Sequence, residues 1–275
     1  MNAFCRRTLT GVAYGLILVS GIVIHPVVFS VVFLFLTIVL HLEFYRMAER
    51  AGSSPQRITG LIAGILIFLG MTGFAAGLWP LHIALLPLLM VPVVFVAEIY
   101  RASEHPIPNI ASTLMGYIYV AIPMSLTSLL VFQGEGASRR FYPWIMLGMM
   151  LTIWAFDSGA YLIGTAIGKH RLFERISPKK SWEGVLGGGT IALFTGVLNG
   201  FLFPEIELTN WLVISIIVVV AGTYGDLIES LLKRSLQIKD SGNSLPGHGG
   251  FLDRLDSFLL VVPFVLTWLL FFPVV

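Results

Sequence analysis

Cysteine is almost missing from this chain. Cys5 stands alone among 275 residues, which excludes an internal disulfide framework and a thiolate metal site. Charge is also scarce: Asp, Glu, Lys and Arg together make up 12% of the residues, against 56% apolar. With a mean hydropathy of +0.88 this excludes a soluble domain. A formal net charge of +2 is too small to point to nucleic acid as a partner. Three nucleotide and hydrolase patterns are absent: the Walker-type P-loop, the G-x-S-x-G elbow and the G-x-G-x-x-G dinucleotide fingerprint. No internal repeat is apparent.

What the chain does have is long apolar runs. A spanning helix needs about 20 such residues, and nine segments qualify: 9–24, 27–42, 58–78, 81–99, 110–132, 143–167, 185–203, 211–230 and 257–273. The expected fold class is therefore an all-α integral membrane protein of about nine transmembrane helices, because an open sheet cannot satisfy its backbone in lipid. The first segment follows Arg6 and Arg7 without a convincing small-residue cleavage site and reads as a retained helix. Prolines and glycines inside the segments, among them Pro87, Pro92, Pro123, Gly187 to Gly189 and Pro263, predict kinks or close helix contacts.

With the N-terminus in the cytoplasm and nine alternating spans, fifteen of the seventeen Lys and Arg fall on the cytoplasmic side, and only Arg139 and Arg140 fall outside. The positive-inside rule favours that orientation and that span count. It puts both charged loops, 168–183 and 231–256, on one cytoplasmic side. The chain reads as a single polytopic membrane domain, with residues 1–135 as scaffold and dimer contacts and 136–275 as a catalytic half with a polar cleft open to the cytoplasm. Glu43 and Glu98 lie near helix ends and read as side chains reaching the interface. Trp79 and Trp211 read as members of interfacial aromatic belts.

Asp157 and Asp226 stand out, since carboxylates inside apolar helices are costly and mark function by default. Asp226, Glu229, Ser230 and Lys233 share one side of a helix. A buried ion-pair network is the structural alternative. The loop GKHRLFERISPKKSWEG (168–184) is broken by Ser177-Pro178. Ser181 and Glu183, followed by a Gly-rich run, look like a helix entrance. Lys179 and Lys180 stand before it, where cations and free N–H groups can meet an anion or anchor the loop to acidic headgroups.

The densest polar stretch is Ser230 to Asp256, SLLKRSLQIKDSGNSLPGHGGFLDRLD. It gathers Lys233, Arg234, Lys239, Asp240, His248, Asp253, Arg254 and Asp256. Gly249 and Gly250 beside His248 allow a tight turn and a close approach to a ligand. Asp253 and Asp256, three apart, share a helix face. Two like charges held together repel unless a cation sits between them, and carboxylate oxygens suit Mg²⁺ with substrate phosphates completing its shell. A metal-assisted phosphate reaction at the lipid interface is the class these residues favour.

These residues also carry a resemblance. Ser230, Leu232, Lys233-Arg234, Lys239-Asp240, Gly242, Leu245-Pro246, His248-Gly249-Gly250, Asp253-Arg254 and Asp256 match the signature of the phosphatidate cytidylyltransferases, or CDP-diacylglycerol synthases. Upstream, Asp157 to Tyr161, Gly168-Lys169 and Ile176 to Gly184 look like the same family. The family more often has Thr in place of Ser181 and Arg in place of Thr165. The motifs cover residues from about 150 to 260; across 1–140 the likeness rests on hydropathy and helix count.

The resemblance implies transfer of CMP from CTP to phosphatidate with release of pyrophosphate. It also implies dependence on Mg²⁺, with a second cation such as K⁺, and a commonly dimeric nine-helix fold in the cell membrane. It assigns metal binding to Asp226, Asp253 and Asp256. Catalytic contacts with phosphates are expected from Lys233, Arg234, Lys239, Asp240, His248 and Arg254. Substrate binding is expected from Asp157, Ser177, Lys179, Lys180, Ser181, Glu183, Ser230, Gly249 and Gly250. Two other readings remain open here. A CTP-dependent lipid kinase would release CDP rather than pyrophosphate. An ion-coupled transporter with Asp157 and Asp226 at its coupling site would be expected to show inverted repeats.

Overall fold

The computed structural model describes residues 3–134, 139–242, 244–245 and 249–273. The order is α1 (Ala3–Val23), α2 (Pro26–Arg50), α3 (Arg57–Ala75), α4 (Leu81–Ala84), α5 (Met90–Arg101), α6 (Pro106–Gly116), α7 (Ile122–Val131), β1 (Phe132–Gln133), β2 (Arg140–Phe141), α8 (Trp144–Ile167), β3 (Arg171–Phe173), β4 (Ser177–Ser181), α9 (Trp182–Leu202), α10 (Leu208–Ile217), α11 (Thr223–Ser235) and α12 (Leu252–Phe271). Among the described residues, eight helical segments are long and apolar enough to cross a membrane, and a shorter apolar helix, Leu9–Val23, precedes them. The protein is an all-α, multi-pass integral membrane protein, and these segments follow the nine apolar runs.

Local chemistry accounts for several helix ends and breaks. The His25 ring nitrogen accepts the Val27 N–H ahead of Pro26, which opens α2. The fourth run breaks into α4, a 3₁₀ turn at Leu86–Leu89 that contains Pro87, and α5. Two spans carry a wide π turn. Tyr117–Ala121 lies just before Pro123, and Val218–Gly222 lies just before α11.

The chain forms two compact units, Met1–Tyr142 with Ser235–Arg254, and Pro143–Arg234 with Leu255–Val275. In the first unit the buried Tyr45 donates to the Thr113 carbonyl at 3.1 Å. A Cβ at Gly60 or Gly116 would collide with its hydroxyl. Glu98 corrects the expectation of an interfacial side chain. It is 3% exposed and accepts from Gln56, Asn109 and Arg101 at 2.7–2.8 Å. A buried carboxylate in an apolar bundle must be satisfied in this way.

The second unit is built on glycines. A Cβ at Gly184 would fall 2.8 Å from the Ala160 carbonyl, and one at Gly188 would fall 2.8 Å from Ala160 N, so α8 and α9 meet almost backbone to backbone. Trp211 is fully buried against Gly148, which corrects its reading as a belt residue. Asn199 donates to the Gly148 carbonyl at 3.0 Å beside it. α11 and α12 cross at Gly222 and Gly225. Ser257 Oγ donates to the Gly222 carbonyl at 3.1 Å, and a Cβ at Gly225 would lie 2.7 Å from the Asp256 carbonyl and 2.9 Å from Ser257 Cα. Backbone cannot yield there as a flexible side chain would. We therefore expect Gly225→Val to cost about 1–3 kcal/mol through overpacking. Thermal unfolding in detergent should show a melting point lowered by a few degrees, whereas an unchanged melting point would contradict the close crossing.

Candidate active site

The α11–α12 crossing sets the position of the acidic residues in the second unit. Asp226 follows Gly225 in the first turn of α11, and Asp256 faces it from α12. Burial acts on Asp256 first, and the charges of Asp226 and Asp157 add to it, with Lys180 opposing. Lys180 Nζ lies 2.6 Å from Asp226 Oδ2, and Ser230 Oγ donates to Asp226 Oδ1 at 3.1 Å. One turn further along α11, Glu229 is fully buried and pairs with Lys233. The polar face expected on this helix is present. Its ion pairs are Asp226 with Lys180 and Glu229 with Lys233.

The charged loop between α8 and α9 contains a short antiparallel hairpin. Arg171 pairs with Ser181 and Phe173 with Ser177. Ser181 is the expected helix entrance: its hydroxyl accepts the Gly184 N–H at 3.2 Å. Glu183 reaches back, accepting the Lys169 N–H at 3.1 Å and the His170 N–H at 3.2 Å, with the His170 ring nitrogen 2.6 Å away. Ser181 and Glu183 therefore hold the hairpin closed, while Lys179 is exposed and Lys180 reaches the acids. Arg234 Nε donates to the Ile176 carbonyl at 3.3 Å, which brings the end of α11 to the hairpin turn.

In the first unit, the segment leading to α12 is shaped by two carboxylates. Asp253 accepts from the Ser241 N–H at 3.0 Å, the Ser241 hydroxyl at 3.0 Å and the Gly250 N–H at 2.8 Å. Gly249 has φ +81°, and a Cβ there would lie 2.6 Å from Asp253 Oδ2. The tight turn and close approach read from the glycines are both required, and the group approached is Asp253. The second carboxylate is Glu43 of α2, 1% exposed, which accepts from Ser244 Oγ at 2.5 Å and from the Leu252 N–H at 2.8 Å. Its reading as an interfacial side chain was wrong. The signal was available, because Glu43 is an acid in an otherwise apolar helix. Lys239, Asp240 and Arg254 are exposed. His248 lies outside the described residues.

Among the described residues, no three His, Cys, Asp or Glu side chains converge as a metal cage. That pattern still fits Mg²⁺, which is commonly held by one or two carboxylates with substrate phosphates and water completing its shell. Asp226 and Asp256 supply two oxygen-donor groups whose mutual repulsion a cation would relieve. Lys180 already places one positive charge on Asp226.

The fold and these residues define a membrane-embedded protein with an acidic and basic cluster suited to phosphate chemistry. The model of the cytidylyltransferase family matches residues 5–272, and the chain belongs to that family. It is 33% identical to a phosphatidate cytidylyltransferase of Bacillus subtilis (strain 168) over 269 residues, covering 94% of this chain and 95% of that protein. It is 34% identical over 209 residues to one from Staphylococcus haemolyticus (strain JCSC1435), covering 75% of this chain and 77% of that one. It is 43% identical over 125 residues to one from Haemophilus influenzae (strain ATCC 51907 / DSM 11121 / KW20 / Rd), covering 44% of this chain and 43% of that one.

The geometry at Gly249 generates a prediction. Alanine there adds the left-handed backbone penalty of about 1–2 kcal/mol to a collision with Asp253. Turnover should fall at least about tenfold while circular dichroism shows the helices intact. A Gly249→Ala protein with wild-type turnover would contradict the contact.

Proposed function

We propose that the chain is a phosphatidate cytidylyltransferase, which joins the CMP part of CTP to phosphatidate and releases pyrophosphate at the cytoplasmic face of a cell membrane. The observation that carries this reading is the 33% identity to the Bacillus subtilis enzyme across nearly the whole of both chains. The acid–base cluster of the second unit has the chemistry the reaction needs. The sorting of fifteen of seventeen Lys and Arg to one side supports the cytoplasmic placement.

In this reading a phosphatidate oxygen attacks the α-phosphorus of CTP. The new P–O bond forms as the α–β P–O bond breaks, and the electron pair leaves with pyrophosphate. The nucleophile needs no strong base, since the second pKa of a phosphomonoester is about 6. The difficulty is bringing two anions into contact, so positioning and charge compensation supply most of the rate. Asp226 and Asp256 would hold Mg²⁺, with Asp253 one turn earlier on the same helix. When bound, the metal offsets charge on the phosphates and on the departing pyrophosphate. In the second unit Lys179, Lys233 and Arg234 would supply cations that attract and orient the phosphates. Lys180 and Ser230 hold the Asp226 carboxylate in a fixed orientation.

The test is purified protein in detergent with phosphatidate and labelled CTP, with and without Mg²⁺. We expect label in the lipid, one pyrophosphate per product, and loss of both on chelation. Release of CDP would point to a kinase, and no lipid product would overturn the assignment.

Two variants test the acids. Asp226→Asn and Asp256→Asn should each lower turnover by about a thousandfold or more. Neutralising one of two like charges removes repulsion, so Asp256→Asn should melt no earlier than wild type, while in Asp226→Asn that gain offsets the lost Lys180 pair and the protein should stay folded. A variant that stays active, or one that loses activity only by unfolding, would count against the role.

A further inference from the structure

We infer that Glu43, a residue of the second helix and remote in sequence from the signature, is a positioning residue for this reaction: it clamps Ser244 and the Leu252 N–H and thereby sets the orientation of Asp253. The inference rests on the proposed function for its catalytic consequence, but the clamp itself stands on geometry alone.

Both oxygens of Glu43 are directed at the segment. Oε1 accepts from the Ser244 hydroxyl at 2.5 Å, and Oε2 accepts from the Leu252 N–H at 2.8 Å. Leu252 opens α12, so this bond satisfies one of the orphan donors of a helix start with a full negative charge. The segment has two glycines where the carboxylate approaches. A Cβ at Gly242 would lie 2.9 Å from Oε1, and one at Gly250 would lie 2.6 Å from Oε2. The same Gly250 donates its N–H to Asp253 at 2.8 Å. Glu43 and Asp253 thus grip neighbouring atoms of one short stretch: Glu43 holds Ser244 and Leu252, and Asp253 holds Ser241 and Gly250.

A carboxylate that is 1% exposed and sits in an apolar helix is costly to bury. Its partners come from a segment 201 to 209 residues away. Glu98, the other buried acid of this unit, has a cationic partner in Arg101 three residues on, whereas the bonds to Glu43 come from Ser244 and the Leu252 N–H. The effect on the reaction follows from the covalent link, since Asp253 is the residue after Leu252. Releasing Leu252 N–H lets the first turn of α12 fray and the Asp253 carboxylate rotate away.

The experiment compares wild type, Glu43→Ala, Glu43→Gln and Ser244→Ala in detergent, reading three quantities. These are kcat and KM for CTP and phosphatidate, amide hydrogen exchange across 241–252, and thermal unfolding. Glu43→Ala should lower kcat by about a hundredfold, as expected for two lost charge-assisted hydrogen bonds. It should change KM for phosphatidate little and should speed exchange at 241–252 while the other spans stay protected. Glu43→Gln should restore most of kcat, because its amide oxygen can still accept from Leu252 while its NH₂ donates to the Ser244 hydroxyl. Ser244→Ala removes one bond without touching the buried acid, so it keeps the test open if Glu43→Ala does not fold. It should show a smaller change in the same direction. Unchanged exchange in both Glu43→Ala and Ser244→Ala, or a Glu43→Gln protein no better than Glu43→Ala, overturns the inference. If wild type makes no lipid-linked nucleotide, the proposed function fails, while the exchange arm still decides the clamp.

Discussion

Like charges do not stay together without help, and the second unit carries Asp226 and Asp256 on two helices that meet at Gly225. Asp256 is partly buried in a chain that is 56% apolar, and the charges of Asp226 and Asp157 act on it. Their repulsion would be relieved by moving the helices apart. The glycines at 184, 188 and 225 prevent this by letting helix backbones touch, so that packing across whole helices holds the acids in place. Lys180 contributes one ammonium from the hairpin. In the proposed function, a divalent ion and the phosphates of CTP complete the charge balance.

The first unit contributes differently. There the carboxylates are consumed by backbone and hydroxyl donors: Asp253 by Ser241 and Gly250, Glu43 by Ser244 and Leu252. Leu245, Phe251 and Leu252 add apolar contacts, and the polar bonds fix the backbone between them. That is why its glycines matter individually. Gly249 meets a left-handed backbone and a carboxylate, and Gly250 lies between two carboxylates.

The sequence made the spans legible because apolar runs of membrane length have few other uses. It also showed the α9 entrance, since Ser181 with an acid two residues on and a glycine-rich run is a local capping pattern. The Asp226 face was legible from helical spacing alone. The hairpin 171–181 was not, because strands of three and five polar residues carry no period. Glu98 was misread because its satisfaction depends on Gln56 and Asn109, which arrive from other helices. Glu43 was misread for the same reason at greater range, with its Leu252 partner 209 positions away. Trp211 looked interfacial by residue type, but the space opposite Gly148 takes its ring inside. The misread Glu98, Glu43 and Trp211 are each pairings between distant residues, which spacing along one element cannot reveal.

The central claim is that Asp226 and Asp256 are held close in order to gather a divalent cation with the nucleotide. Electron paramagnetic resonance of Mn²⁺, an oxygen-seeking stand-in for Mg²⁺, tests this directly on purified protein with CTP and no phosphatidate, so that no turnover intervenes. The account predicts that wild-type protein takes Mn²⁺ out of the free signal and that the Asp226→Asn/Asp256→Asn double variant, still folded, does so at least about tenfold more weakly. Equal binding by the two proteins would contradict it.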